Sequence, residues 1–203
     1  MRRLLAVWVL GLWCGLVAAD PFPALYDVTS VEAGDVLNIR SEPDATSAII
    51  GGLAPDSVGV EVTRLSADRR WARVQTRERM GWASVRFLAL VPRQGEGFSQ
   101  GLSCVGTEPF WLFKYRPFGR SEFTSLGGLS GSYDIGPPIR AVGRPNVYGL
   151  RGSSDLGDVS AILRRGECSD GMSEVEFGLS FDLILPDGEG DVVYTGCCNL
   201  GVN

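Results

Sequence analysis

The chain contains no histidine. Ser-His-Asp and Cys-His hydrolases, histidine-ligated metal sites and histidine general bases are therefore excluded, because no other unperturbed side chain titrates near neutrality. After the N-terminal apolar run there is no second stretch long enough to span a membrane as a helix. Basic clusters are missing too: Arg69-Arg70 and Arg164-Arg165 are pairs, too short to count as patches. An acidic chain of this kind is a poor partner for nucleic acid or an anionic membrane surface. No glycine-rich loop between strand and helix cradles a phosphate, no repeat relates the two halves, and no stretch reads as a cleft-building α/β scaffold. Carboxylate-only glycosidases survive these exclusions and stand as the remaining enzyme class. The carboxylates fall at turns and strand exteriors, so a protein that is not an enzyme and needs no cofactor is the expectation.

What is present begins with an export signal. Arg2 and Arg3 precede an apolar run over residues 4 to 17, and Val17-Ala18-Ala19 supplies small residues before Asp20. The run is about 14 residues where a spanning helix needs roughly 20, so residues 1 to 19 read as a cleaved signal peptide, with a retained anchor as the alternative. Cys14 follows Trp13, where a lipidation site would want a small residue. Removing 19 of the 203 residues leaves 184, enough for one large or two small domains. Two of the 19 basic residues go with the signal, leaving 17 against 24 acidic ones and a net charge of about −7. The expected location is periplasmic or secreted, with no integral membrane segment after cleavage.

Four cysteines remain, Cys104, Cys168, Cys197 and Cys198, an even number suited to two disulfides outside the cytoplasm. Zinc is the competing use, but the spacing is not two C-x-x-C pairs, so no metal is expected. All four lie beyond residue 100, which divides the chain. Cys197 and Cys198 adjoin on one strand, so their side chains point to opposite faces and take different partners. A hairpin centred near Gly188 sets Cys197 beside roughly Ser180 rather than Cys168, so the Cys168-Ser169-Asp170-Gly171 turn must fold back over the sheet. One bond from Cys168 and one from Cys104 to this pair is the expectation.

Residues 25 to 91 carry short alternating runs separated by turn formers. Examples are Val36-Leu37-Asn38-Ile39-Arg40 before Ser41-Glu42-Pro43-Asp44, then Val58-Gly59-Val60-Glu61-Val62, then Trp71-Ala72-Arg73-Val74. Five or six strands in under 70 residues imply a small β-barrel. Leu37-Asn38-Ile39-Arg40-Ser41 with Pro43, Ile50-Gly51 with Leu53, Trp71-Ala72-Arg73-Val74, and Gly81-Trp82-Ala83 leading to Phe87-Leu88 resemble the bacterial SH3 (SH3b) family. The resemblance covers about a third of the chain; it departs from the family at Glu42, where a glycine is common, and in a longer, more charged stretch over residues 64 to 70. It implies a binding module, often aimed at cell-wall peptides. A peptide groove wants exposed aromatics with a few polar groups, which singles out Tyr26, Arg40, Asp44, Trp71 and Trp82. The competing structural roles are closure of the barrel core by Trp71 and Trp82 and a turn tied by Arg40.

Pro92-Arg93-Gln94-Gly95-Glu96-Gly97 cannot continue a packed strand, so residues 92 to 101 read as a linker and 102 to 203 as a second domain. Its clearest strand is Val175-Glu176-Phe177-Gly178-Leu179-Ser180-Phe181-Asp182-Leu183, apolar at odd positions. Pro186-Asp187-Gly188-Glu189-Gly190 then turns the chain into Val192-Val193-Tyr194. Asp187, Glu189 and Asp191 have calcium-like spacing but lack further oxygen ligands, so a solvated tip is expected. Phe110-Trp111-Leu112-Phe113-Lys114-Tyr115 puts Trp111, Phe113 and Tyr115 on one face, as core or as a stacking stripe.

Cys104-Val105-Gly106-Thr107-Glu108-Pro109-Phe110-Trp111, Cys168-Ser169-Asp170-Gly171-Met172-Ser173 and Gly196-Cys197-Cys198 resemble, in that order, the G-x-E-P-F-W, C-S-D-G-M-S and closing G-C elements of an uncharacterised family of bacterial envelope proteins. The doubled cysteine departs from that family and implies one general disulfide, from Cys168, and one particular to this chain, from Cys104. Pro109 bars a ladder hydrogen bond and marks the start of a strand, and Asp170-Gly171 marks a turn. Glu108, Trp111 and Asp170 join the ligand-binding candidates. The expectation is thus an all-β protein: a small SH3-like barrel, then a disulfide-containing β-sheet or barrel. Its partner would be peptidoglycan or an envelope protein, with inhibition of a wall hydrolase as the alternative function.

Overall fold

A computed structural model describes residues 22 to 77, 79 to 93, 96 to 187 and 190 to 201. The export signal expected over residues 1 to 19 lies outside them. Within them the protein is nearly all β, with one 3-10 turn at Val85–Phe87. No helix among the described residues is long and apolar enough to cross a membrane.

The first sheet is built from β1 (Ala24–Val28), β2 (Leu37–Arg40), β3 (Ile49–Leu53), β4 (Val60–Leu65), β5 (Trp71–Gln75), β6 (Met80–Ser84) and β7 (Leu88–Leu90). They run in the order β3-β2-β6-β5-β4-β1-β7. The alternation read in the sequence sends Leu37, Ile39, Val62, Val74 and Leu88 into one core. Between β2 and β6 only Arg40 and Trp82 are paired, so these strands diverge early.

The second unit is a closed barrel. Its strands are β8 (Leu102–Thr107), β9 (Phe110–Tyr115), β10 (Ser121–Ser125), β11 (Ser130–Ile135), β12 (Ile139–Ala141), β13 (Arg144–Ser154), β14 (Gly157–Cys168), β15 (Phe177–Pro186) and β16 (Asp191–Leu200). The ladder β11-β10-β9-β8-β16-β15-β14-β13 returns to β11 through Asp134 opposite Ser153, closing eight strands and leaving β12 beside β13. Eight strands enclose a space that side chains just fill. Phe113, Tyr115, Phe123, Phe181, Leu163 and Leu183 fill it, each essentially without solvent contact. Burial of such a side chain stabilises by roughly 1.5 to 3 kcal/mol, so this cluster dominates the barrel's stability.

Both disulfides pair as the strand geometry requires. Cys198 stands opposite Cys104 across β16 and β8, and these two are bonded inside the barrel. Cys197 stands opposite Ser180, faces outward, and bonds Cys168 at the end of β14. The segment after Cys168 folds back over the barrel wall, where the Thr107 hydroxyl donates to the Asp170 carbonyl at 3.0 Å. Two disulfides fit an oxidising compartment, extracellular or periplasmic.

In the segment expected as a linker, residues 96 to 101 are fixed to the barrel. Phe98 is 3% exposed and joins the barrel core, Arg165 donates to the Glu96 carbonyl at 3.0 Å, and the Arg140 guanidinium meets the Glu96 carboxylate at 2.6 Å. Gln94 and Gly95 lie outside the described residues.

Candidate functional site

The residues singled out in the sequence separate into three places. The first is a cleft of about 490 Å³ on the first sheet, lined by Val31, Glu32, Asp35, Arg40, Trp71 and Phe87 among others. Arg40 and Trp71 meet here because they end β2 and begin β5 on either side of β6. Trp71 is 8% exposed, so only a small part of its ring faces the cleft. Arg40 donates to the Ser47 carbonyl at 2.6 Å, which ties the turn after β2 and fixes the guanidinium at the cleft edge. Asp44 holds the same turn, accepting from the Thr46 amide and hydroxyl at 2.6 Å each. The Thr46 hydroxyl, more than any other group, draws the Asp44 carboxyl below its ordinary pKa. Ala45, beside Asp44, lines the cleft. Ser30 borders it with φ 57, a left-handed conformation that few non-glycine residues adopt.

The second place is the junction between the sheet and the barrel. Trp82 lies under two guanidiniums, Arg64 at 5.0 Å and Arg73 at 5.2 Å from its ring centre. Both also reach Glu176 of the second unit, Arg73 at 2.5 Å and Arg64 at 3.5 Å. Burial pushes the Glu176 carboxyl upward, and the two arginines outweigh that, leaving it below the ordinary glutamate value. Beside this group Met80 packs with Val175, Phe177 and Cys197, an apolar contact across the junction. Tyr26 packs against the first core from β1 rather than lining the cleft.

The third place is where three segments, residues 104 to 111, 168 to 173 and 196 to 198, converge. Trp111 is buried among Phe123, Phe181 and Tyr194. Its indole lies over Gly106 and Gly196: a Cβ on Gly106 would sit 2.1 Å from the indole nitrogen, and one on Gly196 would sit 2.7 Å from the ring and 2.0 Å from the Val105 carbonyl oxygen. The glycines of the first and last motifs are therefore the floor on which the tryptophan of the first motif rests. Glu108 and the cis Pro109 form the two-residue turn between Thr107 and Phe110, and Glu108 is exposed. In the middle motif the Asp170 carboxylate accepts from the Met172 amide at 3.0 Å, the Ser173 amide at 2.9 Å and the Ser173 hydroxyl at 2.8 Å. The Ser173 amide is the main cause of a lowered Asp170 pKa. Gly171, at φ 74, supplies the left-handed residue this turn needs. The loop leaves Met172 66% exposed.

Glu61, which the sequence analysis did not mark, is the group most displaced from ordinary chemistry. Its Oε2 accepts the Leu200 amide at 2.5 Å, while Oε1 is buried without a partner. An alternating strand pattern offers no signal for it, since a carboxylate between Val60 and Val62 reads as solvated. Among the described residues no group of three or more acidic or cysteine side chains is placed to hold a metal; of the hairpin tip read for calcium spacing, Glu189 lies outside the description. No family model, curated protein or solved structure matches this chain.

Proposed function

We propose that this protein is an exported, non-catalytic binding protein of the bacterial envelope. Its first sheet, resembling a bacterial SH3 module, takes a peptide of the cell wall in the Arg40 and Trp71 cleft. The observation that carries the reading is that cleft's make-up. Trp71 and Phe87 offer apolar walls, Arg40 offers a donor for a carboxylate, and Glu32 and Asp35 offer acceptors for an amine. Wall peptides present carboxylates and amines on a short extended chain, and both charges find an opposite here. Asp170, by contrast, is committed to its own turn by three hydrogen bonds, which favours a structural role for it over proton transfer.

The test is sedimentation of the mature chain with purified sacculi. The intact protein is expected in the pellet, with Glu32→Lys reducing the bound fraction severalfold at unchanged melting temperature, and Arg40→Ala reducing it while also loosening the turn that Arg40 ties. Intact protein that stays in the supernatant contradicts the reading. A second reading, inhibition of a wall hydrolase, draws on the Ser169-to-Ser173 loop. A disulfide at its base and Asp170 within it hold Met172 outward, a shape suited to plugging a cleft. Slower lysis of sacculi by an added hydrolase, abolished by Met172→Asp, would favour it.

A further inference from the structure

Glu61 lies on β4 where the first sheet meets the end of the barrel's last strand. The contact it makes spans 139 positions of sequence and joins the two units through one hydrogen bond, from the Leu200 amide to Oε2. Oε1 and the neighbouring Thr63 hydroxyl are both buried without hydrogen-bond partners. Around them is a cavity of about 220 Å³ lined by residues of both units, among them Gln75, Met80, Glu176 and Asn199.

The charged neighbours do not neutralise this carboxyl. Arg165 of β14 attracts it, but its guanidinium is engaged by the carbonyls of Pro23 and Glu96. Glu176 shares the cavity and is paired with Arg73 and Arg64. On β1, Leu25 stands directly opposite Glu61 and is followed by Tyr26 and then Asp27, whose carboxylate accepts the Gly59 amide. β5, β6 and β16 bring Gln75, Met80, Asn199 and Leu200, none of which titrates.

We propose that Glu61 is a protonation-sensitive latch between the two units, holding the end of β16 against the first sheet while its carboxyl is neutral and releasing it on ionisation. A neutral carboxyl accepts the Leu200 amide and places no charge in the junction. An ionised one leaves a charge with a single donor and a bare buried oxygen, which opening to water relieves. Burial accordingly pushes the Glu61 pKa from 4.5 up to about 8, against the Leu200 amide and Arg165. Because the folded value is raised, the latch contributes fully below pH 4.5 and its contribution is lost as pH rises through about 8. If opening restores the ordinary value, the opening equilibrium changes by up to about three-thousandfold across that window.

The experiment uses the mature chain. Carbon-detected titration of the Glu61 carboxyl is expected to give a midpoint near 8; a midpoint in the ordinary glutamate range overturns the proposal. Exchange protection of the Leu200 amide, corrected for its intrinsic rate, is expected to fall by two to three orders of magnitude from pH 5 to pH 9. Glu61→Gln, which keeps an acceptor without a charge, is expected to remove that dependence. An unchanged profile in the variant overturns the latch, and should the variant fail to fold, the titration in the native chain still decides. Neither measurement depends on wall binding, so the latch and the proposed function fail separately.

Discussion

At the scale of single residues, the glycines carry a sharper message than the acidic residues around them. Gly196 and Gly106 are required because an indole and a neighbouring strand occupy the space a side chain would need. Gly196→Ala is expected to destabilise the barrel by about 1 to 3 kcal/mol through overpacking. Gly149→Ala, where the nearest atom to an added Cβ is 4.0 Å away, is expected to change stability far less. Denaturant unfolding of the two variants checks this, and equal effects would contradict the account of the motifs. Trp111 could be placed on a buried face from the sequence, since Phe113 and Tyr115 share its side. That its partners are two glycines from separate motifs was not legible, because a glycine names a position without naming what fills the space above it.

At the scale of elements, the barrel depends on strand pairing reinforced by two covalent links at one place, on opposite faces of β16. The alternation over residues 175 to 183 was enough to orient β15, and the hairpin register then set Cys197 against Ser180 as observed. Which cysteine of the pair faced Cys168 was not fixed by that register. It follows from the turn after β14, which crosses the outer wall and meets the outward-facing Cys197. Replacing Cys168 and Cys197 together by serine is expected to cost about 2 to 4 kcal/mol. It should also free the Ser169-to-Ser173 loop, read as faster amide exchange at Met172 and Ser173. Loss of stability without loosening of that loop would show that the bond acts elsewhere.

For the whole molecule, the junction decides how two separately readable units behave. Its contacts join residues far apart in sequence: Arg73 to Glu176 over 103 positions, Glu61 to Leu200 over 139 and Arg165 to Pro23 over 142. No local pattern encodes such pairs, so the sequence displayed two units and concealed that they are joined. Trp82→Ala removes the surface on which Arg64 and Arg73 stack and leaves a cavity, so a loss of about 3 to 5 kcal/mol is expected in thermal unfolding. A variant as stable as the native chain would place Trp82 outside the junction's energetics.

Binding in the Arg40 and Trp71 cleft is open to one direct measurement. The described residues hold three tryptophans in three different settings: Trp71 at the cleft, Trp82 under two arginines, and Trp111 inside the barrel. Their indole N–H resonances can be followed while soluble wall fragments are added. Wall-peptide binding in the cleft predicts a saturable shift of the Trp71 signal with Trp111 unmoved; three unmoved signals, or movement of Trp111 alone, would contradict it.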